Sequence, residues 1–290
     1  MNVARRAEEL EPRPRAVAIG TFDGIHTGHR RVIGAALAVG GGRTPTVVTF
    51  HPHPRTVLGN QVELLSTLER RLELLAGLGV EETLVVEFTT ELARLAPEAF
   101  AESVLRAIGT EVLVAGATFR FGHRRAGDLD LLARLGFDVR PVPIVEAVSS
   151  SEVRGLVRAG EVARAARLLG RPPEIEGVVV LGDQRGGTLG YPTANLAVPP
   201  ELLVPAYGIY AGCARDHRAA VSIGVNPHYG GGERRIEPHL LDFEGDLYGE
   251  RLVVELWQRL REERSFESEQ ALVKQIADDV DAARAAVRPV

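Results

Sequence analysis

Short apolar runs alternate with helical patterns through the first half of the sequence, and this alternation strongly limits the possible folds. Five runs have the length and composition of buried strands, and they are Ala16–Gly20, Thr46–Phe50, Thr83–Phe88, Val112–Gly116 and Val139–Pro143. Helical patterns lie between and after them, at Gly28–Val39, Thr67–Leu78, Pro97–Ile108, Asp128–Leu135, Ser151–Arg158 and Glu161–Leu169. Strands that alternate with helices pair in parallel, so we expect an α/β domain with a doubly wound sheet.

The pattern changes after residue 170. An Arg-Pro-Pro sequence at 171–173 has the composition of a linker, and short strand candidates separated by turn signals follow it. These candidates are Gly177–Leu181, Gly208–Ala214, Ala219–Val225, Arg235–Phe243 and Leu252–Arg259. Short strands at this spacing predict a small β-barrel or sandwich, and a helical pattern over 267–287 ends the sequence. We therefore expect two domains, residues 1–170 and residues 171–290.

Lysine and cysteine are almost absent from the sequence. Lys274 is the only lysine, which excludes the GxxxxGK[ST] loop of Walker-type ATPases and the strand lysine of protein kinases. Cys213 is the only cysteine, which excludes an intrachain disulfide and favours a reducing, cytoplasmic location. No signal-like or membrane-spanning apolar run is present, so we expect no membrane partner. The net charge of -5 argues against a nucleic-acid partner.

A glycine-rich turn with two histidines follows the first predicted strand. Residues 20–29 read GTFDGIHTGH, and a helix is predicted to begin at about His29. The free N–H groups and the dipole of a helix N-terminus bind anions. His26 and His29 are three residues apart, so both can face this site and donate hydrogen bonds to phosphate oxygens. An ordinary strand-to-helix turn is the alternative interpretation.

This turn resembles the HxGH nucleotidyltransferase superfamily, in particular the adenylyltransferase domain of bacterial bifunctional riboflavin kinase/FAD synthetases. Further segments resemble that domain in the same order, and they are TFHPHP at 49–54, FRFG at 119–122 and SSSEVR at 149–154. The resemblance implies that His26 and His29 bind the α- and β-phosphates of ATP. It also implies that Ser150 and Arg154 neutralise the pyrophosphate leaving group. Further ATP contacts are implied for Gly20, Thr21, Phe22, Asp23, Gly24 and Ser151. Flavin contacts are implied for His51, Pro52, Phe119, Phe121 and Arg125.

Two positions in the first half leave alternatives open. The residue before FRFG is Thr118, where the family usually has aspartate or asparagine. One alternative is therefore a first half that is inactive or specific for another phosphate acceptor. His51 and His53 could instead ligate a metal, but two histidines without a third ligand are a weak signal. The intervening prolines favour a rigid, ligand-facing turn.

A second glycine-rich loop follows the first strand candidate of the second half. Residues 182–196 read GDQRGGTLGYPTANL. Backbone amides of such a loop can surround phosphates, although a hairpin would also contain these glycines. Thr193 and Asn195 are two residues apart, so in an extended segment both face one side. There they offer neutral oxygen ligands to Mg²⁺.

The second loop resembles the GxxxGRxLGxPTAN signature of riboflavin kinase, and IEPHLLDF at 236–243 extends the similarity. The resemblance implies that Thr193 and Asn195 bind Mg²⁺ and the phosphates of ATP. Glu237 is implied to take the proton from the 5′-hydroxyl of riboflavin, a weak nucleophile that benefits from a positioned carboxylate. Outside this motif, Glu237 would be interpreted as a surface glutamate. The remaining implied phosphate contacts are Gly182, Arg185 and Gly190.

Together the two resemblances imply a bifunctional enzyme of FAD biosynthesis. The expected fold is an α/β doubly wound, Rossmann-like HxGH nucleotidyltransferase domain followed by a small β-barrel riboflavin kinase domain with a C-terminal helix. The second domain would phosphorylate riboflavin to FMN with Mg-ATP, and the first would adenylate FMN to FAD with release of pyrophosphate. An oligomer is left open. A non-catalytic flavin-binding protein is the alternative from another class, and the complete set of phosphate-handling residues argues against it.

Overall fold

The computed structural model describes residues 1–143, 148–182, 185–225 and 234–290. Contacts within the chain define two units, of which the first comprises residues 1–62 and 67–149. The second comprises residues 63–66 and 150–290. Residues 150–170 therefore group with the second unit, whereas the sequence places the domain boundary at residue 170. The predicted domain boundary at residue 170 stays a prediction.

Six parallel strands form the sheet of the first unit. They are β1 (Asn2–Ala4), β2 (Arg15–Ile19), β3 (Thr44–His51), β4 (Glu82–Glu87), β5 (Thr110–Gly116) and β6 (Asp138–Val142). Their order is β1-β4-β3-β2-β5-β6, and each described pairing is parallel. The chain thus winds outwards in both directions from β2 and β5, as in doubly wound sheets. The predicted parallel α/β sheet is confirmed.

Helices cover both faces of this sheet. They are α1 (Thr27–Leu37), α2 (Pro54–Val57), α3 (Leu68–Gly77), α4 (Thr90–Arg94), α5 (Pro97–Phe100) and α6 (Leu129–Arg134). A π-helical turn, Ala101–Arg106, continues α5, and 3₁₀ turns lie at Ala7–Glu9 and His123–Arg125. Successive side chains of a strand point to opposite faces. Val17 and Ile19 of β2 therefore pack in one core, and Ala16 and Ala18 pack in the other.

The two edge strands differ from the sequence-based prediction. The run Val139–Pro143 is predicted to be a buried strand, but β6 lies at the edge of the sheet and its residues are exposed or half-buried. The strand is present, but its predicted burial was wrong because an apolar run does not show whether a neighbouring strand or helix covers it. β1 is not predicted at all, since three residues in a charged segment carry no periodic signal.

A six-stranded sheet with antiparallel pairing dominates the second unit. Its strands are β7 (Glu174–Val180), β8 (Asn195–Ala197), β9 (Gly208–Ala214), β10 (His217–Val225), β11 (Arg234–Leu240) and β12 (Arg251–Arg261), and their order is β11-β10-β9-β12-β7-β8. Its helices are α7 (Ser150–Arg158), α8 (Val162–Leu169), α9 (Arg185–Thr188) and α10 (Glu269–Ala285). The edge strands β8 and β11 lie close together, as a hydrogen bond shows: the N–H of Ala194, which directly precedes β8, donates to the Pro238 carbonyl at 2.9 Å. Across the described ranges, no helix combines the length and the apolar composition needed to cross a bilayer.

A buried arginine at the start of β2 connects elements that lie on either side of this strand. Arg15 is fully buried, and its Nε donates to Oε2 of Glu82 on β4 at 2.8 Å. Its Nη1 donates to the carbonyl of Ile108, which precedes β5, at 2.5 Å. Charges are found in protein interiors only where they are paired and hydrogen-bonded. Arg15 therefore holds the two sides of the central strand together.

We expect Arg15→Met to lower the free energy of unfolding of the first unit by roughly 3–5 kcal/mol, because the buried Glu82 would lose its closest ionic partner. Urea denaturation, monitored by circular dichroism, measures this loss of stability. Fluorescence of Trp257, the only tryptophan of the sequence, reports unfolding of the second unit. The urea midpoint of that fluorescence transition should not change.

The control for this prediction is Arg43→Met. Arg43 forms a partly exposed ion pair with Glu111 at 2.8 Å, so its loss should change stability by less than about 1 kcal/mol. An Arg15→Met variant that loses no more stability than Arg43→Met would contradict the role given to the buried pair.

Candidate active sites

The carboxyl ends of β2 and β5 form the switch point of the first unit. The strand order reverses between these two strands, and ligands of open α/β sheets bind in the crevice outside such a point. Two neighbouring cavities open there, with volumes of about 230 and 670 Å³. They share Gly20 from the loop after β2, and Thr118 and Phe119 from the loop after β5. Two ligands can therefore meet at this shared wall.

The two histidines line the smaller cavity at the N-terminus of α1. His26 is the N-cap residue, and its Nδ1 accepts the N–H of His29 at 3.3 Å. The two imidazole rings stack with 3.6 Å between their centroids. Because Nδ1 of His26 is an acceptor, the neutral ring carries its proton on Nε2, where it can be donated to an anion. The helix begins at Thr27, slightly earlier than the predicted start at His29.

The loop before α1 has an unusual backbone. Phe22 and Ile25 have φ angles of 51° and 43°, and both side chains are buried. Left-handed conformations are costly for such residues and persist where the surrounding structure holds them, often at functional sites. Gly28 serves close packing, since a Cβ there would lie 3.1 Å from Cε1 of His26. A side chain at position 28 would displace the histidine ring.

Aromatic side chains and arginines line the larger cavity. The aromatic residues are Phe50, Phe88, Phe100, Phe119 and Phe121, and their contacting rings have centroids 5.7 to 6.2 Å apart. The arginines are exposed and comprise Arg55, Arg94, Arg120, Arg124 and Arg125. An apolar cavity of this size with a few polar groups is typical of small-molecule sites. A flat aromatic ligand with a negative charge would match this lining.

Three of the five predicted flavin contacts line this cavity, namely Phe119, Phe121 and Arg125. His51 and Pro52 are not among its lining residues, and Pro54 and Arg55 lie there instead. His53 caps α2 by accepting the Arg55 N–H at 3.2 Å. Within the part of the chain that the structure describes, no group of three His, Cys, Asp or Glu side chains could hold a metal.

Sequence reasoning missed several residues of the larger cavity. Phe88 follows β4, and Arg94 and Phe100 come from α4 and α5. These residues belong to none of the segments that resemble known motifs. Only the parallel pairing of β3 with β4 brings them to the switch point. A single sequence contains no local signal for that placement.

Some of the other predicted ATP contacts of the first half line one of the two cavities, and the others line neither. Gly20 and Phe22 line the smaller cavity and Thr21 lines the larger one. Asp23 and Gly24 are buried and are not among the described lining residues.

Ser150, Ser151 and Arg154 lie on α7, which belongs to the second unit. Arg154 is buried, and its Nε donates to the Glu63 carbonyl at 2.6 Å. Their action together with the two histidines stays a prediction.

In the second unit, a cavity of about 370 Å³ brings the predicted kinase residues together. Thr193 and Asn195 lie where the glycine-rich loop enters β8, and the half-buried Glu237 lies on β11. Glu237 is paired in register with Ser222 of β10, which also lines the cavity. Apolar side chains complete the lining, and they include Phe266, Leu272, Ile276 and Val280. Glu237 thus shares a partly apolar cavity with the neutral oxygen donors of Thr193 and Asn195, and the carboxylates of Glu263 and Asp279 also line it.

Strand β11 holds the segment that contains Thr193 in place. The Ala194 N–H donates to the Pro238 carbonyl, and Nδ1 of His239 lies 2.7 Å from the Pro192 carbonyl oxygen. Thr193 also lines an adjoining cavity of about 150 Å³, which contains Phe243 and Tyr248. Among the described residues, Thr193 is the only one that these two cavities share.

The glycines of the second loop permit close approach. A Cβ at Gly182 would overlap the side chain of Asn195, and a Cβ at Gly186 would overlap the Tyr191 carbonyl. Gly190 has a φ of 86°, a conformation that favours glycine. Residues 183 and 184 and the side chain of Arg185 lie outside the described part, so the predicted phosphate contact of Arg185 stays a prediction.

An ion pair fixes α10 against β12. Nε of Arg261 donates to Oδ1 of Asp279 at 2.9 Å, and Nη2 donates to Oδ2 at 2.7 Å. Asp279 is buried and also accepts a hydrogen bond from Gln275 at 2.9 Å. Two-point pairing of this kind gives geometric precision as well as energy. It holds the helix that supplies the apolar lining of the 370 Å³ cavity.

Comparison with known proteins supports both halves. The riboflavin kinase family matches residues 169–287, and the FAD synthetase family matches residues 8–154. The bifunctional riboflavin kinase/FMN adenylyltransferase of Listeria monocytogenes is 36% identical over 288 residues, which cover 93% of this chain and 92% of that protein. The Bacillus subtilis protein of the same name is 36% identical over 284 residues, with 91% and 89% covered.

A crystal structure described as that of a macrolide-efflux protein from Streptococcus pneumoniae is similar along the whole chain. Its TM-score is 0.87 at 31% identity, and the similarity covers 98% of this chain and 99% of that one. The identity and coverage of the curated relatives, and the order of the two matched families, lead to one assignment. The chain belongs to the family of bifunctional riboflavin kinase/FMN adenylyltransferases.

Proposed function

We propose that the protein converts riboflavin to FMN in its second unit and FMN to FAD in its first unit. ATP donates its γ-phosphoryl group in the first reaction and its adenylyl group in the second. One observation carries the proposal. In each unit two neighbouring cavities share at least one wall residue, beside groups that can bind phosphate or accept a proton. Each unit can therefore hold two substrates with their reacting ends together.

In the first unit, the phosphates of ATP lie in the 230 Å³ cavity beside His26 and His29. The flavin ring lies in the aromatic cavity, and its phosphate reaches the shared wall at Gly20 and Thr118. A phosphate oxygen of FMN attacks the α-phosphorus, the bond to the bridging oxygen breaks, and pyrophosphate leaves. FMN phosphate is already a nucleophile, so catalysis consists of positioning and charge stabilisation by the histidines and the helix N-terminus.

In the second unit, riboflavin lies in the 370 Å³ cavity with its ring against the apolar side chains of α10. The adenine of ATP lies in the adjoining cavity beside Phe243 and Tyr248, so the phosphates pass Thr193. The 5′-hydroxyl oxygen of riboflavin attacks the γ-phosphorus of ATP while Glu237 accepts the hydroxyl proton. The bond between the γ-phosphorus and the bridging oxygen breaks, and ADP leaves. The half-buried position of Glu237 and its place in the wall of this cavity support this role.

Thr193 and Asn195 would hold Mg²⁺ in this site. Magnesium prefers oxygen ligands and is commonly bound by a few protein groups together with substrate phosphates. The residues fit a magnesium ion, because Thr193 and Asn195 supply neutral oxygen ligands. Gly182 has no side chain, which leaves room for the side chain of Asn195. When bound, the ion neutralises negative charge on the transferring phosphates.

We also propose the finer fold and location. The hydrogen bond between Ala194 and Pro238 supports a second-unit sheet that closes into a barrel. The histidines at the N-terminus of α1 support an HxGH nucleotidyltransferase in the first unit. The single cysteine of the sequence supports a cytoplasmic enzyme.

Glu237→Gln should lower the rate of riboflavin phosphorylation by a factor of about 10² or more, since an amide cannot accept the hydroxyl proton. Formation of FAD from FMN by the same preparation should be unchanged. Glu244→Gln, at an exposed position of the same unit, is the matched control and should change neither rate. Wild-type phosphorylation by the Glu237→Gln variant would refute the base assignment.

His29→Ala should impair FAD formation from FMN and leave riboflavin phosphorylation unchanged, the opposite of Glu237→Gln. Loss of one donor to a developing phosphate charge commonly costs a factor of about 10² to 10³, so FAD formation from FMN should fall by that amount. Riboflavin phosphorylation, measured on the same preparation, serves as the internal control for folding. If FAD forms at the wild-type rate, His29 has no role in adenylyl transfer.

A further inference from the structure

We propose that Arg71, a buried arginine on α3, is a positioning residue for adenylyl transfer. It holds the loop after β2 and the end of β3 in the arrangement that the two cavities of the first unit require. The proposal rests on the proposed adenylyl transfer in this unit. Arg71 is not among the described lining residues of either cavity, so it acts through other residues.

The contacts of Arg71 join two separate backbone segments. Its side chain is only 1% exposed, and Nη1 donates to the Phe50 carbonyl at 3.1 Å. The same Nη1 lies 3.4 Å from Oγ1 of Thr49, and this hydroxyl donates to the Thr21 carbonyl at 2.9 Å. One guanidinium thus connects the carboxyl end of β3 with the loop that follows β2.

Both connected segments form cavity walls. Phe50 and Thr21 line the 670 Å³ cavity, while Gly20 and Phe22, on either side of Thr21, line the 230 Å³ cavity. A shift of the Thr21 carbonyl would therefore move the wall between the two substrates. A misplacement of about 1 Å between reacting groups can cost about 10²-fold in rate.

The charge of Arg71 points to the same role. Burial lowers the pKa of Arg71, and the carboxylate of the buried Asp23, in the loop after β2, opposes this effect. Removing two charges from water is costly, and an apolar side chain of similar volume often serves packing equally well. What the arginine adds is a directed donor, Nη1, which lies within hydrogen-bond distance of both the Phe50 carbonyl and the Thr49 hydroxyl.

The test compares Arg71→Met and Arg71→Lys with Arg70→Met in the full chain. Arg70 is the adjacent residue of α3 and forms an ion pair with Glu73 at 2.7 Å near the surface, so its loss should change neither activity. Arg71→Met should lower kcat for FMN adenylylation about 10²-fold, with an unchanged KM for ATP and unchanged riboflavin phosphorylation. Arg71→Lys keeps the charge and a single donor nitrogen, and it should restore part of the lost kcat.

If Arg71→Met does not fold, Thr49→Val tests the same hydrogen-bonded connection. It removes only the hydroxyl between Arg71 and Thr21, and should lower kcat for adenylylation by about tenfold, the value of one hydrogen bond. A purely structural role would reduce the number of active molecules, as thermal unfolding would show, without changing kcat per folded molecule.

Wild-type adenylylation separates this inference from the proposed function. If the wild-type protein forms no FAD from FMN and ATP, the proposed function of the first unit fails and the inference fails with it. If the wild-type protein forms FAD and both Arg71→Met and Thr49→Val keep its kcat, only the role of Arg71 is overturned. A selective loss of kcat that Arg71→Lys partly restores supports it.

Discussion

Parallel pairing of β2 with both β3 and β5 is the constraint on which the first unit depends. The chain leaves β2 towards one side of the sheet and later returns to its other side, so a crevice opens between the ends of β2 and β5. The glycine-rich loop, the two histidines and Thr118 all lie at this crevice. At the opposite end of β2, the buried Arg15 bonds to Glu82 of β4 and to the Ile108 carbonyl before β5.

The second unit arranges two substrates without a parallel sheet. Its antiparallel strands place Glu237 on β11, while close-packed glycines and backbone hydrogen bonds position Thr193 and Asn195. Neither unit uses a lysine for phosphate, since the only lysine, Lys274, lies exposed on α10. In the proposed sites, backbone N–H groups, histidines and neutral oxygen ligands take that role. Shared walls between paired cavities are thus the common feature of two unrelated folds.

The sequence predicts local features well and distant packing poorly. The five strand predictions of the first half agree with β2 to β6 within two residues, because short apolar runs and glycine-rich turns are local signals. The motif at 20–29 likewise indicates the helix N-terminus that the structure shows. Phe88, Phe100 and Arg71 could not be predicted, since their roles depend on neighbours far away in the chain. His51 and Pro52 are not among the lining residues of the larger cavity, and their flavin contacts stay a prediction.

The central claim is that one chain carries both reactions, and product analysis by liquid chromatography tests it most directly. The purified protein is incubated with riboflavin, ATP and magnesium, and separately with FMN, ATP and magnesium. The account predicts FMN and then FAD in the first mixture and FAD in the second. FMN that accumulates in the first mixture and stays unchanged in the second would contradict the claim for the first unit. Unchanged riboflavin in the first mixture would contradict it for the second unit.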